Sequence, residues 1–209
     1  MLGILCKKTL IATERDRADV VQRRRDWRGC VGSTPASRLV FVDETGSNVA
    51  MTRATSRALV GQRAFGRAPK NQGTNLTIVG AIALDGVRAM MAYEGGTTRH
   101  AFLRFVREAL VPSLHEGDVV ILDNLRVHYT EGVRSSIEAV GARVLYLPPY
   151  SPDLNPIELT WSKLTALLRK IEARTMQDLA SVLPQCRDKI CSSDLEGWFR
   201  YAGYPGLPE

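Results

Sequence analysis

The sequence has little of what disulfide-stapled or zinc-stapled domains rely on. Its four cysteines, Cys6, Cys30, Cys186 and Cys191, are scattered, and the only close pair is spaced C-x4-C with no histidine nearby. Neither a disulfide framework nor a zinc site fits that spacing, which leaves reduced, unreactive thiols. With three histidines in the chain, no Ser/His/Asp or Cys/His arrangement offers a nucleophile. No apolar run approaches the roughly 20 residues that span a bilayer. The opening MLGILCKK has too short an apolar stretch for a secretory signal, with its lysines on the wrong side, so a cytoplasmic location is expected. Internal repeats and low-complexity segments are absent too.

What is present is one respectable core in 209 residues, hence one domain with an extra arm. The net charge of +6 is uneven: residues 1–38 carry nine Lys/Arg against four Asp/Glu, and residues 39–209 nineteen against eighteen. The division expected is therefore 1–38 as a basic arm and linker, and 39–209 as the main domain with C-terminal helices. In the arm, KKTLIATERDRADVVQRRRDWR reads as a charged helix with apolar contacts at Leu10, Ile11, Val20, Val21 and Trp27. A solvated helix and a phosphate-contacting arm are both open readings of it.

Past the linker, RLVFVDETGSN reads as a buried strand over about Leu39–Val42 that delivers Asp43 at its carboxyl end, with 49–52 as a candidate return strand. A polar connection follows, bearing Arg53, Arg57, Arg63, Arg67 and Lys70. NLTIVGAIALDG and RAMMAYEG form a hairpin turning at Asp85-Gly86. From Thr98 apolar residues recur at helical spacing, with Thr97 or Thr98 as a plausible cap. GDVVILDN is a short buried strand ending in Asp123, EGVRSSIEAVGA a helix closed by Gly141, and RVLYLP another strand. NPIELTWSKLTALLRKI is a helix that turns Trp161 and Leu164 to the core; further helical pieces fall at about Met176–Ile190 and Asp194–Phe199. Hairpins followed by a β-α-β-α-β-α succession predict an α/β fold, a mixed sheet with an antiparallel meander followed by parallel strands and flanked by helices.

Of the 22 acidic residues, most occupy helical or turn positions where solvent exposure is the default. Asp43 and Asp123 differ, each following a run of apolar strand residues, where open α/β sheets place their ligands. Glu158 differs in another way. Four of the ten prolines lie in LPPYSPDLNP, at 148, 149, 152 and 156, just before it. Asn155-Pro156-Ile157-Glu158 reads as N-cap to N3, so Glu158 reaching back in a capping box is one account of it. A cap requires no such stiffened approach, however. Three converging carboxylates are hard oxygen ligands of the kind Mg²⁺ or Mn²⁺ takes, and two such ions support phosphoryl transfer on nucleic acid.

FVDETG, ILDNLRVH and LPPYSPDLNPIELTWSKL, in that order, resemble the bacterial insertion-sequence branch of the mariner superfamily of DDE transposases. Thirty-four residues, 124–157, separate Asp123 from Glu158, the interval that superfamily shows. The resemblance runs from about Lys7 through Tyr204. It implies an RNase H-like fold in which Asp43, Asp123 and Glu158 bind two Mg²⁺ or Mn²⁺ ions and carry DNA cleavage at transposon ends. Strand transfer into target DNA, typically at TA, would follow. It also implies a homodimer when ends are paired, and a nucleoid-associated protein.

Around these acids, Asn124 is expected to orient the loop or a ligand water, and His128 either to support a carboxylate or phosphate or to be structural. Asn155 serves as cap and site neighbour, and Glu44 points to the opposite face. Arg53, Arg57, Arg63, Arg67 and Lys70 track DNA backbone, or form a merely solvated loop. Members of the superfamily carry two N-terminal helix-turn-helix modules, and the first 38 residues hold one helix and a linker instead. The expectations are a catalytic half whose head is separately encoded, or a truncated, inactive DNA-binding remnant or regulator. An RNase H-like nuclease without strand transfer is the remaining alternative.

Overall fold

In the computed structural model, which describes residues 12–204, five strands form one sheet in the order β3-β2-β1-β4-β5. Strands β1 (Leu39–Ser47), β2 (Leu76–Ala83) and β3 (Gly86–Glu94) are antiparallel neighbours. Strand β4 (Val119–Leu122) runs parallel to β1, and β5 (Arg143–Tyr146) parallel to β4. This is the expected meander followed by parallel strands. LTIVGAIA is buried at every position, as a strand covered on both faces must be.

Helices cover both faces. On one lie α1 (Ala18–Gly32), α4 (Ile157–Ile171), α5 (Met176–Ser181), α6 (Leu183–Arg187) and α7 (Ser192–Tyr201), packed on Leu39, Phe41, Ile78 and Ile121. On the other lie α2 (Arg99–Phe105), extended by a π turn over Val106–Leu110, and α3 (Val133–Glu138), packed on Val40, Val42, Val79 and Val120. The alternation of Leu39 and Phe41 with Val40 and Val42 is the strand period of two dividing β1 between two cores. Of the two candidate threonines, Thr98 caps α2: its hydroxyl accepts the Ala101 N–H at 3.2 Å. In α1, Val20 and Trp27 are buried and Val21 half-buried; Leu10, Ile11 and Cys6 lie outside the described residues.

Three expectations need correction. Strand β1 does not stop at Val42 but continues to Ser47, because β2 pairs with it from Phe41↔Ile82 to Ser47↔Leu76. Asp43 is therefore in mid-strand. Residues 49–52 form no strand: the Asn48 side chain accepts the Ala50 N–H at 3.0 Å and turns the chain. The helix foreseen over Met176–Ile190 breaks in two at Val182, where Pro184 sits in the first turn of α6. Among the described residues no helix is long and apolar enough to cross a membrane.

Candidate active site

The site begins with a register. Phe41 pairs with Ile121 across the parallel β1–β4 ladder. Two residues on, Asp43 and Asp123 turn to the same face as that pair, the face that carries α4. Strand β4 ends at Leu122 while β1 runs on, which opens a gap at the strand ends. Asp43, Asp123 and Glu158 line one cleft of ≈ 380 Å³ there, closed on its other side by the loop Leu147–Asn155.

Helix α4 is seated by a close approach. Gly80 is the antiparallel partner of Asp43, and a Cβ at position 80 would stand 2.7 Å from Cη2 of Trp161. The missing side chain lets the indole, 5% exposed, lie on β2 beside Asp43. Glu158, three residues earlier on α4, is thereby brought over the strand ends.

Asn155 does not cap the helix. Its carbonyl accepts the Glu158 N–H at 3.2 Å, but its side chain turns away and Nδ2 donates to Asp43 Oδ2 at 3.3 Å. No side-chain cap forms at α4, so the capping-box account of Glu158 fails. Asn155 is 5% exposed, and its Oδ1 is buried without a hydrogen-bond partner among the described residues. A buried acceptor left so costs about 1–3 kcal/mol, and this one belongs to the residue that reaches Asp43.

Asp43 is 8% exposed. Burial pushes its carboxyl up to about 7, helped by the charges of Glu158, Asp123 and Glu44 and opposed by the Glu44 N–H it accepts. Glu158 opens to solvent at the rim; partial desolvation and then the charge of Asp123 raise it as well. A cleft in which neighbouring carboxylates raise the pKa of Asp43 and Glu158 is short of positive charge.

Asp123 has partners. Its Oδ1 lies 2.6 Å from His128 Nδ1 and accepts the Leu125 N–H at 2.9 Å. His128, fully buried and packed on Phe102 at 4.3 Å between ring centroids, turns Nε2 to Glu44 Oε2 at 3.1 Å. Burial disfavours its charge, but the hydrogen bonds to Asp123 and Glu44 prevail and raise it to about 9. The imidazolium thus links the Asp123 carboxylate to Glu44 on the opposite face of the sheet. Asn124 Nδ2 donates to the Leu147 carbonyl, and its Oδ1 accepts from Tyr129 at 2.8 Å, which ties the β4 and β5 exits together.

As placed, the carboxylates share a cleft without closing on a point: among the described residues no three His, Cys, Asp or Glu side chains cluster tightly enough to hold an ion. Asp123 is drawn to His128 and Asp43 to Asn155 and Glu44 N–H. The donor set nevertheless fits a hard cation, with three carboxylates and the free amide oxygen of Asn155. Arg53, Arg57, Arg63, Arg67 and Lys70 are exposed on the β1–β2 connection and line none of this cleft.

The sequence profile of the DDE superfamily endonuclease family matches residues 38–180. The chain belongs to this family. This DDE endonuclease chain is also similar in fold to solved Mos1 structures. They include the Mos1 transposase paired-end complex with left transposon end (TM-score 0.74, 18% identity, 98% of this chain and 64% of that one). The Mos1 strand transfer complex follows at 0.72, 18%, 96% and 64%, and the Mos1 mariner paired-end complex with Mn at 0.69, 19%, 97% and 64%. The fold of the DDE endonuclease is therefore RNase H-like. The chain spans about 64% of the length of those transposase chains. No curated protein sequence matches it.

Sequence reasoning missed the partners of the stiff loop. Arg24 is buried and bonded to Ser151 and Asp153. A signal existed: Val20, Arg24, Trp27 and Val31 fall on one helical stripe, which places an arginine in the apolar face of α1.

Proposed function

We propose that this chain is the catalytic part of a DNA transposase that cleaves DNA at transposon ends and transfers the freed 3′-hydroxyl into target DNA, at TA dinucleotides. The observation that carries the reading is that Asp43 from the middle of β1, Asp123 from just past the end of β4 and Glu158 from the first turn of α4 line one cleft, in a chain of the DDE endonuclease family. Residues 39–209 form the catalytic domain and residues 1–38 its basic arm and linker.

Asp43, Asp123 and Glu158 would hold Mg²⁺ or Mn²⁺, two ions per site, with the Asn155 amide oxygen beside them. The Mos1 paired-end complex with Mn supports the choice of metal. Bound there, the ions would acidify a water or 3′-hydroxyl and stabilise the departing oxygen of the phosphodiester. The chain's own groups prepare for this. Asp43, with a pKa of about 7, gives up its proton near neutrality as a cation approaches. His128, itself held by Glu44, keeps one oxygen of Asp123 engaged and directs the other toward the cleft. Asn155 steadies Asp43.

DNA is the partner in this reading, with a homodimer bridging paired ends and a separately encoded helix-turn-helix head reading them. The protein works in the cytoplasm, on the nucleoid. A second reading, a DNA-binding regulator that no longer cleaves, is favoured by one observation: the Asp123 carboxylate is engaged with His128.

Incubation with end-containing and unrelated DNA over a Mg²⁺ or Mn²⁺ titration tests the proposal. Metal-dependent nicking that Asp123→Asn abolishes is expected. Equal DNA binding and no nicking by either form would establish the regulator instead. Sequencing the products separates strand transfer from hydrolysis alone, which would leave only the nuclease.

A further inference from the structure

Helix α1 is tied to the loop before α4 by buried and part-buried polar bonds. Arg24, 8% exposed, directs Nη1 to Ser151 Oγ at 2.6 Å and to Asp153 Oδ1 at 3.0 Å, and Nη2 to Asp153 Oδ2 at 2.7 Å. Arg15 reaches the same Asp153 oxygen at 3.0 Å. One turn along α1, Trp27 Nε1 donates to the Tyr204 hydroxyl at 3.1 Å, which donates to the Leu154 carbonyl at 2.7 Å. Ser151 Oγ in turn donates to the Pro149 carbonyl at 3.0 Å.

Residues 149, 151, 153 and 154 are thus all held. Next in the chain comes Asn155, whose amide reaches Asp43, and Glu158 follows within one helical turn. Pro149, Pro152 and Pro156 leave few soft torsions between the clamp and the cleft. Tyr150 sits at φ 55, a left-handed conformation that costs a side-chain-bearing residue about 1–2 kcal/mol and persists only where neighbours enforce it.

A buried guanidinium is a poor choice for packing alone. Removing it from water is costly, and its two-pronged bond to a carboxylate fixes angle as well as distance. A loop that needed only to be covered would be served by an apolar side chain.

We propose that Arg24 is a positioning residue for the cleft: through Ser151 and Asp153 it sets the entry of α4, and so where Glu158 and Asn155 stand relative to Asp43 and how tightly the cleft binds a divalent ion. This rests on the transposase reading for the role of the carboxylates. It differs from the reading of α1 as a phosphate-contacting arm in what its loss should do.

The test is Mn²⁺ binding by the full chain without DNA, followed by the electron paramagnetic resonance of free Mn²⁺, with thermal melts alongside. Wild type is compared with Arg24→Met, Arg24→Lys and Asp153→Asn. A rise of about 10-fold or more in the Mn²⁺ dissociation constant is expected for Arg24→Met and Asp153→Asn. Arg24→Lys should fall between, since an ammonium cannot reproduce the fork. Metal-free DNA affinity should stay unchanged. Unaltered Mn²⁺ affinity in folded variants overturns the inference. So does weaker metal-free DNA binding with a shallower salt dependence, which would make Arg24 a phosphate contact. If Arg24→Met does not fold, Asp153→Asn, at a side chain 36% exposed, decides the matter. Mn²⁺ binding that is the same in wild type and Asp123→Asn is a separate result, which sinks the transposase reading and this inference with it.

Discussion

Asp43 and His128 both hold a proton more tightly in the fold than in an unfolded chain, and the consequences for stability have the same sign. Burial carries Asp43 from 3.8 to about 7. The stability its protonation lends is full below 3.8 and is lost as pH rises through about 7. His128 goes from 6.5 to about 9 because the bonds to Asp123 and Glu44 outweigh burial. Its contribution is full below 6.5 and is lost as pH rises through about 9. From these two groups the metal-free protein should therefore melt at progressively lower temperature from about pH 4 to pH 9. Asp43→Asn should flatten the lower part of that profile and His128→Gln the upper part, as thermal melts at half-unit pH steps would read. A profile that both variants leave unchanged would mean that neither group titrates as the geometry requires. The same proton on Asp43 competes with a cation, so the Mg²⁺ concentration that half-saturates nicking should rise as pH falls below about 7.

At the scale of elements, α4 decides whether the pair Asp43 and Asp123 becomes a three-carboxylate cleft, and its seat is Gly80 beneath Trp161. A methyl group at 80 meets Cη2 of the indole at 2.7 Å, and a rigid ring in a filled core has nowhere to swing. Gly80→Ala should cost about 1–3 kcal/mol, read as a lower denaturation midpoint at unchanged m-value. It should also depress nicking beyond the loss of folded protein, because Glu158 rides on the same helix. Retention of full specific activity in the folded variant would show that α4 tolerates the shift.

These elements also mark what local pattern conveys. Asp43 and Asp123 stood out by the apolar runs before them, and the helix start at Glu158 by proline placement. The length of β1 was not, because residues past Val42 are held by their pairing with β2 rather than by their own apolar character. Asn155 was read both as cap and as neighbour of the site, and local pattern does not separate the two roles. An N-cap asparagine and a site asparagine look alike until the strand 112 residues away is in place.

For the molecule as a whole, the proposed function requires a surface that holds DNA backbone. The connection between β1 and β2 is long, exposed and irregular, and its base is pinned from afar. Arg174 Nη1 donates to the carbonyls of Val49 and Met51 at 3.2 and 2.8 Å, a contact across more than 120 residues that no local pattern announces. Arg53, Arg57, Arg63, Arg67 and Lys70 lie beyond that pin and are exposed. A solvated loop and a phosphate contact look the same in the free chain, but they separate under salt. Each phosphate neutralised releases counterions and adds about 0.9 to the magnitude of the slope of log affinity against log salt. Replacing all five side chains by glutamine should therefore reduce that slope by up to about 4.5 if every one contacts a phosphate. The loss should be the same on end-containing and unrelated duplexes, since phosphate contacts carry no sequence information. Fluorescence anisotropy between 50 and 200 mM KCl, an interval in which about 6–10 such contacts lose 10³–10⁵ in affinity, measures it without any need for metal or cleavage. A slope equal to that of wild type assigns the five charges to solvent and leaves the exposed arginines of α1, Arg23, Arg25 and Arg28, as the candidate backbone contacts.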